Sequence, residues 1–396
     1  MKQDHQNILT INSGSSSIKF AWYSADENLK KLFSGEIKRI GLYNPEFNVT
    51  DYSSNEKNAI LLDVTNFKEA EEVLMEWLKK QNFFDRVCGI GHRIVHGMEH
   101  THPEIIDDNL LKELNKISEF DPDHLPAEIE LVELFRKKFP VIIQVACFDT
   151  SFHTAIPLVA KIFAIPKKYY DQGIQRYGFH GISYSYLMQE LKKINESKAN
   201  GKIILAHLGN GASIAAVKNG KCIDTSMGFT PAGGIVMSTR SGDLDPGVAW
   251  YLMQKGMDAK SFNDLINHQS GLLGISGISS DMQDLLKQEK KNNAAALAIE
   301  IFCYQIKKYI GAYTAALGGL DVLVFSGGIG ENAPVIRTRI CKGFDYWEIE
   351  IDEEENKKNA TLISTTKSKI KVYVIPTDEE IMIAKSAIKL LERFEE

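Results

Sequence analysis

The chain has 396 residues, 44% of them hydrophobic, with a formal net charge of −6, enough apolar material for two or three domain cores. That acidic balance, with no basic stripe, argues against a nucleic-acid surface, and no apolar run approaches the length of a membrane span. Five scattered cysteines (Cys88, Cys147, Cys222, Cys303, Cys341) form no CxxC pair and fit buried thiols in a reducing compartment; with "MKQDHQN" leading into a strand, a cytoplasmic protein is expected.

In chain order, Ile8, Leu9 and Ile11 read as one strand and Ile18, Phe20 and Trp22 as the next, with "NSGSSS" between them as a turn. Taken alone, that turn is an ordinary hydrogen-bonded hairpin. "FKEAEEVLMEWLKK" and "LPAEIELVELFRKKF" read as amphipathic helices, "VIIQVACF", "KIILAHLG" and "DVLVFSGG" as buried strands, and "AAALAIEIFCYQIKKYIGAYTAAL" as a long helix. The alternation predicts an α/β fold. "KKINESKANGK" and "DEEENKKNATLISTTKSK" read as solvated connections. Residues 8–18, "ILTINSGSSSI", overlay 204–214, "ILAHLGNGASI", without a gap, which predicts two related halves, each with a small-residue hairpin able to cradle phosphates. A P-loop is excluded because "GSSSIK" lacks the second glycine and leads into a strand. GxGxxG is likewise absent from "FSGGIGENAP", where a helix is expected from Ala333 and Pro334 with Asn332 as N-cap.

Several stretches carry residues suited to chemistry. "GIGHRIVHGMEHTHP" has four histidines, but glycines bracket His92 and His96 and the HExxH glutamate is missing, so zinc is not expected. On a strand, Arg93 and Val95 share one face, an arrangement that suits a small carboxylate with a short apolar tail; a surface ion pair is the plain alternative for Arg93. Asp149 follows a buried strand, and His180 follows an aromatic turn. "TPAGGIVMSTRSGDLDPG" is a long irregular loop around Arg240, too rich in Gly, Ser, Thr and Asp to be a packed element. "PTDEEIMIA" opens a helix with a capping box from Thr377 to Glu380, and Glu379 either complements the helix dipole or binds Mg²⁺ through water. Together these are components of phosphoryl transfer.

The motifs "INSGSSSIK", "GHRIVHG", "FDTSFH", "RYGFHG", "HLGNGASIAAV", "DTSMGFTP", "TRSGDLDPG", "GLLGISGISSDM", "FSGGIGEN" and "PTDEEIMIA" occur in the order seen in acetate kinases, and the chain resembles that family from about residue 8 to its C-terminal helix. The resemblance implies two duplicated actin-like ATPase (ribonuclease H-like) domains around a nucleotide cleft. They would span 1–150, joined by the helix at about 380–396, and 151–380. It also implies a homodimer, ATP and ADP as substrates, and Mg²⁺, or Mn²⁺ in its place, held by Asn12 and Glu379. Arg93, Asp149, His180, Arg240 and His124 would be catalytic. Arg93, Val95, Phe179 and Pro231 would contact the acyl group. Lys19, the run His207, Leu208, Gly209, Asn210 and Gly211, then Asp281, Met282 and Gln283, and finally Gly328, Ile329, Gly330, Glu331 and Asn332 would surround the nucleotide. The reaction implied is in-line transfer of the ATP γ-phosphoryl group to acetate, giving acetyl phosphate and ADP.

The sequence departs from the family pattern in three places. "PDHLPAE" stands where Pro-Leu-His-Asn-Pro is common, placing Asp123 before His124 and Leu125 after it, which brings propionate or another short-chain acid in as the alternative substrate. Gln283 stands for a common arginine and bears on nucleotide preference. Gly233 stands for a common glutamate, with no physical consequence that we can derive. A noncatalytic, actin-like nucleotide switch is the competing reading, and Arg93, His180 and Arg240 weigh against it because a switch needs no carboxylate or phosphoryl clamp.

Overall fold

The computed structural model describes residues 6–14, 17–26, 28–41, 43–81 and 84–395. Ser15 and Ser16 of the first hairpin and the segment 1–5 therefore lie outside the described residues. The chain divides into two compact units, residues 1–151 with 378–396, and residues 152–377. No helix among the described residues is long and apolar enough to cross a membrane.

In the first unit the strands are β1 (Asn7–Ser13), β2 (Ser17–Ser24), β3 (Lys31–Lys38), β4 (Glu46–Asp51), β5 (Glu56–Leu61), β6 (Val87–Ile94), β7 (Glu104–Ile105) and β8 (Ile143–Phe148), in the order β5-β4-β3-β2-β1-β6-β8-β7. One sheet face, bearing Leu9, Ile11, Ile18, Phe20 and Trp22, packs on Leu74 and Leu78 of the helix Phe67–Lys79 and on Leu131 and Phe135 of the helix Leu125–Lys138. The helix Glu379–Glu395 lies on the sheet as well. Its approach needs Gly89 and Gly91, because a Cβ on them would come within 2.5 Å of Leu391 and 2.6 Å of Ile383 respectively.

In the second unit β9 (Lys202–Leu208), β10 (Ala212–Lys218), β11 (Lys221–Thr225), β12 (Val322–Ser326) and β13 (Lys371–Val374) run in the order β11-β10-β9-β12-β13. Tyr184, Leu187 and Leu191 of the helix Gly181–Ile194 pack on Ile203, Leu205, Val322 and Val324. The long helix Asn293–Leu317 also packs on β9 and β10.

The order β3-β2-β1-β6-β8 in the first sheet repeats as β11-β10-β9-β12-β13 in the second, with the same directions. In each, two antiparallel pairings lead to the central strand and two parallel pairings leave it. The halves are related as the repeat predicts, but its ungapped register does not hold for both strands. Ser13 pairs with Ile18 across positions 14–17, whereas Leu208 pairs with Ala212 across the three residues 209–211.

Five local expectations are corrected. "KKINESKANGK" is largely helical, since it holds the end of the helix Gly181–Ile194 and the short helix Glu196–Ala199, with Ala199 buried. "GGIGEN" is itself helical (Gly327–Asn332), and Ala333, not Asn332, precedes the next helix; the Asn332 amide donates back to the Gly328 carbonyl at 3.0 Å. Asp378 caps the C-terminal helix by accepting from the Ile381 N–H at 3.0 Å, while the Thr377 hydroxyl turns to Ser183 at 2.8 Å. "DEEENKKNATLISTTKSK" contains the helix Glu353–Lys357 and the fully buried Asn356. The loop around Arg240 lacks regular structure yet is packed, with Ile235 and Met237 fully buried. Its glycines allow backbone to lie on backbone: Gly234 and Gly242 have φ of 92° and 71°, and Cβ atoms there would overlap Ser226 and Ile235.

Candidate active site

In the first unit Arg93 is the next-to-last residue of β6, with its side chain 12% exposed. Its Nη1 donates to the Ser13 carbonyl at 3.2 Å and to Glu128 Oε1 at 3.1 Å, and its Nη2 donates to Asp149 Oδ2 at 2.9 Å. The Nε–H and the second Nη2 proton have no partner among the described residues, leaving donors for a planar two-oxygen anion. Burial by itself would lower the Arg93 pKa, but Asp149, Glu128 and Glu379 more than offset it, so the guanidinium stays charged. Asp149 is fully buried beyond β8, its N–H bonded to the Ile94 carbonyl at 2.9 Å. Val95 is buried next to Arg93. His124 Nδ1 meets the buried Asp121 at 2.9 Å, just before the helix Leu125–Lys138.

Asn12, at the end of β1, donates its amide to Glu379 Oε2 at 2.9 Å and to Glu380 Oε1 at 3.3 Å. Burial would lower the Lys19 pKa, but Glu380, Glu379 and Glu36 raise it, while burial first of all raises Glu380. Lys19 and Glu380 line an open cavity of about 280 Å³ with Lys31, Ser34 and Glu36. The amide and carboxylate oxygens of Asn12 and Glu379 are hard donors of the kind Mg²⁺ prefers. Among the described residues no group of three or more His, Cys, Asp or Glu could hold a metal by itself, so ligands to such an ion would have to include substrate oxygens and water.

In the second unit His180 has φ 59° and ψ 24°, a left-handed conformation that turns its side chain at the start of the helix Gly181–Ile194. Its ring stacks on His207 at 4.3 Å. His180 Nδ1 bonds Ser213 Oγ at 2.8 Å, and Ser213 Oγ also meets the Tyr184 hydroxyl at 2.5 Å. His207 Nδ1 bonds Ser183 Oγ at 2.8 Å, and Ser183 continues to Thr377 at 2.8 Å. Both rings are thus oriented through Nδ1 by buried serines, with Nε2 on the opposite edge.

The glycine turn closes on these rings. A Cβ at Gly211 would lie 3.1 Å from His180 Nε2 and 3.6 Å from Arg240 Nη1, and one at Gly209 would lie 3.8 Å from both His207 Nε2 and the Gly328 N–H. His180, His207, Arg240, the 209–211 turn and Gly328 therefore converge within this unit. Leu208 is buried in β9. Ser238 pins Asn210, donating its N–H to the Asn210 carbonyl at 3.1 Å and its hydroxyl to the side chain at 3.3 Å. Arg240 Nη1 donates to the Pro231 carbonyl at 3.3 Å, and Pro231 and Phe179 are buried.

Residues of the helix Gly327–Asn332 divide by role. Glu331 accepts from the Gly327 and Thr377 N–H groups at 2.8 and 3.1 Å, so its carboxylate ties the helix together. Gly330 is buried and Ile329 partly so, whereas a Cβ on Gly328 would meet nothing within 4 Å. Asp281 caps its helix by accepting from the Gln283 N–H at 2.7 Å; Met282 is buried and Gln283 exposed.

The chemical reading of the sequence missed four supports. Ser183 and Ser213 orient the histidines, and Arg337 is fully buried, its Nη1 holding the Gly330 and Glu331 carbonyls at 2.8 and 2.9 Å and its Nε holding Asn356 at 2.8 Å. Burial lowers the Arg337 pKa to about 10. Nothing in the sequence distinguishes these three residues from surface polar groups. Glu128 did leave a signal, because it falls in helical period with Leu125, Ile129 and Val132 on a core-facing stripe.

Three comparisons bear on this arrangement. The acetokinase family profile matches residues 7–385. The acetate kinase of Thermoanaerobacter pseudethanolicus is 43% identical over 398 residues, covering 97% of this chain and 99% of that protein. The crystal structure of Porphyromonas gingivalis acetate kinase superposes with a TM-score of 0.85 at 37% identity, covering 98% of this chain and 100% of that one. That of a propionate kinase from Francisella tularensis subsp. tularensis SCHU S4 gives 0.89 at 36%, covering 97% and 99%. A match at this identity over nearly the whole length, on a chain with this paired-sheet architecture, is membership: the chain belongs to the acetokinase family.

Proposed function

We propose that the protein is an acetate kinase that reversibly transfers the γ-phosphoryl group of ATP to acetate. The observation that carries this is the pairing of two specialised sets of residues in one chain. One is a buried arginine with an unused donor edge beside an apolar side chain; the other is a glycine turn against two oriented histidines and a second arginine. In this reading the Arg93 fork receives the acid's two oxygens, Val95, Phe179 and Pro231 face its short tail, and Asp149 holds the fork in line. An acid oxygen forms a bond to the γ-phosphorus as the bond from that phosphorus to the ADP oxygen breaks, so no proton need move at the phosphorus. His180 Nε2 and the Arg240 guanidinium stabilise the equatorial oxygens, where charge builds. His124, held by Asp121, supports the acid end. His207 and the 209–211 turn follow the phosphates, Lys19 lies near the nucleotide, and Asp281, Met282, Gln283 and the 328–332 segment border the adenosine. Mg²⁺, when bound, neutralises phosphate charge, and Asn12 and Glu379 are the residues that would hold it.

Membership of the family also supports a cytoplasmic homodimer as the working form; light scattering distinguishes 44.4 kDa from twice that mass. Propionate is the second reading, favoured by Asp123 and Leu125 flanking His124. Acyl-hydroxamate formation from Mg·ATP and hydroxylamine, run with acetate, propionate, butyrate and no acid, decides between them. Highest kcat/KM with acetate supports the proposal, and a propionate preference replaces it with the second reading. No acid-dependent product from folded, ATP-binding protein refutes both.

A further inference from the structure

Glu128 belongs to the stretch in which the chain departs from its family pattern, and its side chain is buried against the acid-binding arginine. Both of its oxygens are engaged: Oε1 accepts from Arg93 Nη1 at 3.1 Å, and Oε2 accepts from the Val95 N–H at 2.7 Å. Asp149 takes Nη2 of the same guanidinium at 2.9 Å, so one arginine carries two carboxyl groups. With both ionised, the cluster is net negative and opposes an incoming carboxylate; with a proton on Glu128 it is neutral. We propose that Glu128 is a positioning and specificity residue for the acid substrate. It locks the guanidinium onto the Val95 backbone so that the Nε/Nη2 edge is the one offered, and its ionisation weakens acid binding.

The groups facing Glu128 are Arg93 from β6, Asp149 from beyond β8, and Asp121 from the loop before its own helix; Glu379 of the C-terminal helix acts on Arg93 in turn. Burial is the first influence on Glu128 and raises its pKa, Arg93 and the Val95 N–H oppose it, and the outcome is a carboxyl pushed up to about 8. Below that value Glu128 keeps its proton and the acid meets a neutral cluster. As pH rises through it, the added charge appears and KM for the acid rises.

The inference rests on Arg93 being the carboxylate clamp, and the test separates the two. KM for acetate and kcat are measured at saturating Mg·ATP for wild type, Glu128→Gln and Arg93→Ala, from about pH 6 to about pH 9. The wild-type to Glu128→Gln ratio of KM values should be near one at the acid end and rise about tenfold at the alkaline end, with KM for Mg·ATP unchanged. A ratio independent of pH overturns the role of Glu128. An unchanged acetate KM in Arg93→Ala removes the clamp reading, and the inference with it. Gln keeps one acceptor where Glu has two, so if that variant does not fold the wild-type profile decides: a flat acetate KM overturns the inference.

Discussion

Gly328→Ala separates the proposed nucleotide contact from protein packing. A Cβ built at Gly328 meets no protein atom within 4 Å, and the residue lies inside the helix Gly327–Asn332 without a positive φ, so alanine fits the free protein. Replacing a helical glycine by alanine stabilises by roughly 0.5–1 kcal/mol, through the lost freedom of the unfolded chain. The neighbouring Gly327 offers the contrast, since its φ is 76° and a Cβ there would lie 2.8 Å from the Leu208 carbonyl oxygen. If the nucleotide passes over Gly328, the new methyl occupies space the ligand needs, at an overpacking cost of about 1–2 kcal/mol, or roughly five- to thirtyfold in affinity. Stability and nucleotide binding should therefore move in opposite directions. Differential scanning fluorimetry should give an equal or higher Tm, while titration calorimetry with ADP and the KM for ATP should show weakening, with KM for acetate unmoved. ADP affinity equal to wild type in the stabilised variant would show that the nucleotide does not pass over Gly328.

Arg240→Ala should lower kcat by on the order of 10³ to 10⁵ with the fold retained, because it removes the guanidinium beside His180 while the packed loop keeps its buried residues; near-normal turnover with native circular dichroism contradicts the role. Glu379→Gln should raise the Mg²⁺ concentration for half-maximal activity several-fold, as an anionic oxygen donor is lost, and an unchanged magnesium titration argues against Glu379 as a ligand. Glu71 is buried on the helix Phe67–Lys79, and burial first, then Glu130 and Glu72, push its carboxyl up to about 7. Because the folded pKa exceeds the unfolded one, its stability contribution is fully present below about pH 4.5 and is lost as pH rises through about 7. Glu71→Gln should therefore gain up to about 3 kcal/mol over wild type at alkaline pH and little at acid pH, read by urea unfolding. Equal gains at both pH values would place the effect elsewhere.

The legible parts of the site were those whose chemistry follows from backbone geometry near the residue itself. Arg93 near the end of a strand, Asp149 beyond a buried strand and the glycine turn at 209–211 are local statements, because strand alternation and small-residue turns are written in adjacent positions; Val95 falls just past the end of that strand, so the shared strand face expected for it and Arg93 does not form. The capping of the C-terminal helix was misassigned because Asp378 and Thr377 are equally good caps by local rule; Ser183 and Glu331, distant in sequence, claim Thr377 and leave the cap to Asp378. The Arg240 loop was read as unpacked because its composition is polar, whereas its few apolar residues, Ile235 and Met237, are the ones that turn inward.

By itself the sequence determined the α/β class, the two related halves and the set of groups available for carboxylate and phosphate, since periodicity and residue chemistry are properties of short stretches. Only the tertiary structure decided how those groups are held. Two carboxyl groups share one buried arginine, Ser183 and Ser213 orient two stacked imidazoles, and Arg337 secures the glycine helix. Each of these contacts joins positions tens of residues apart or more, or one helix to another, except where Arg337 reaches its own neighbours. Burial then gives such contacts their weight, because a polar group removed from water has to find its partners wherever the fold brings them.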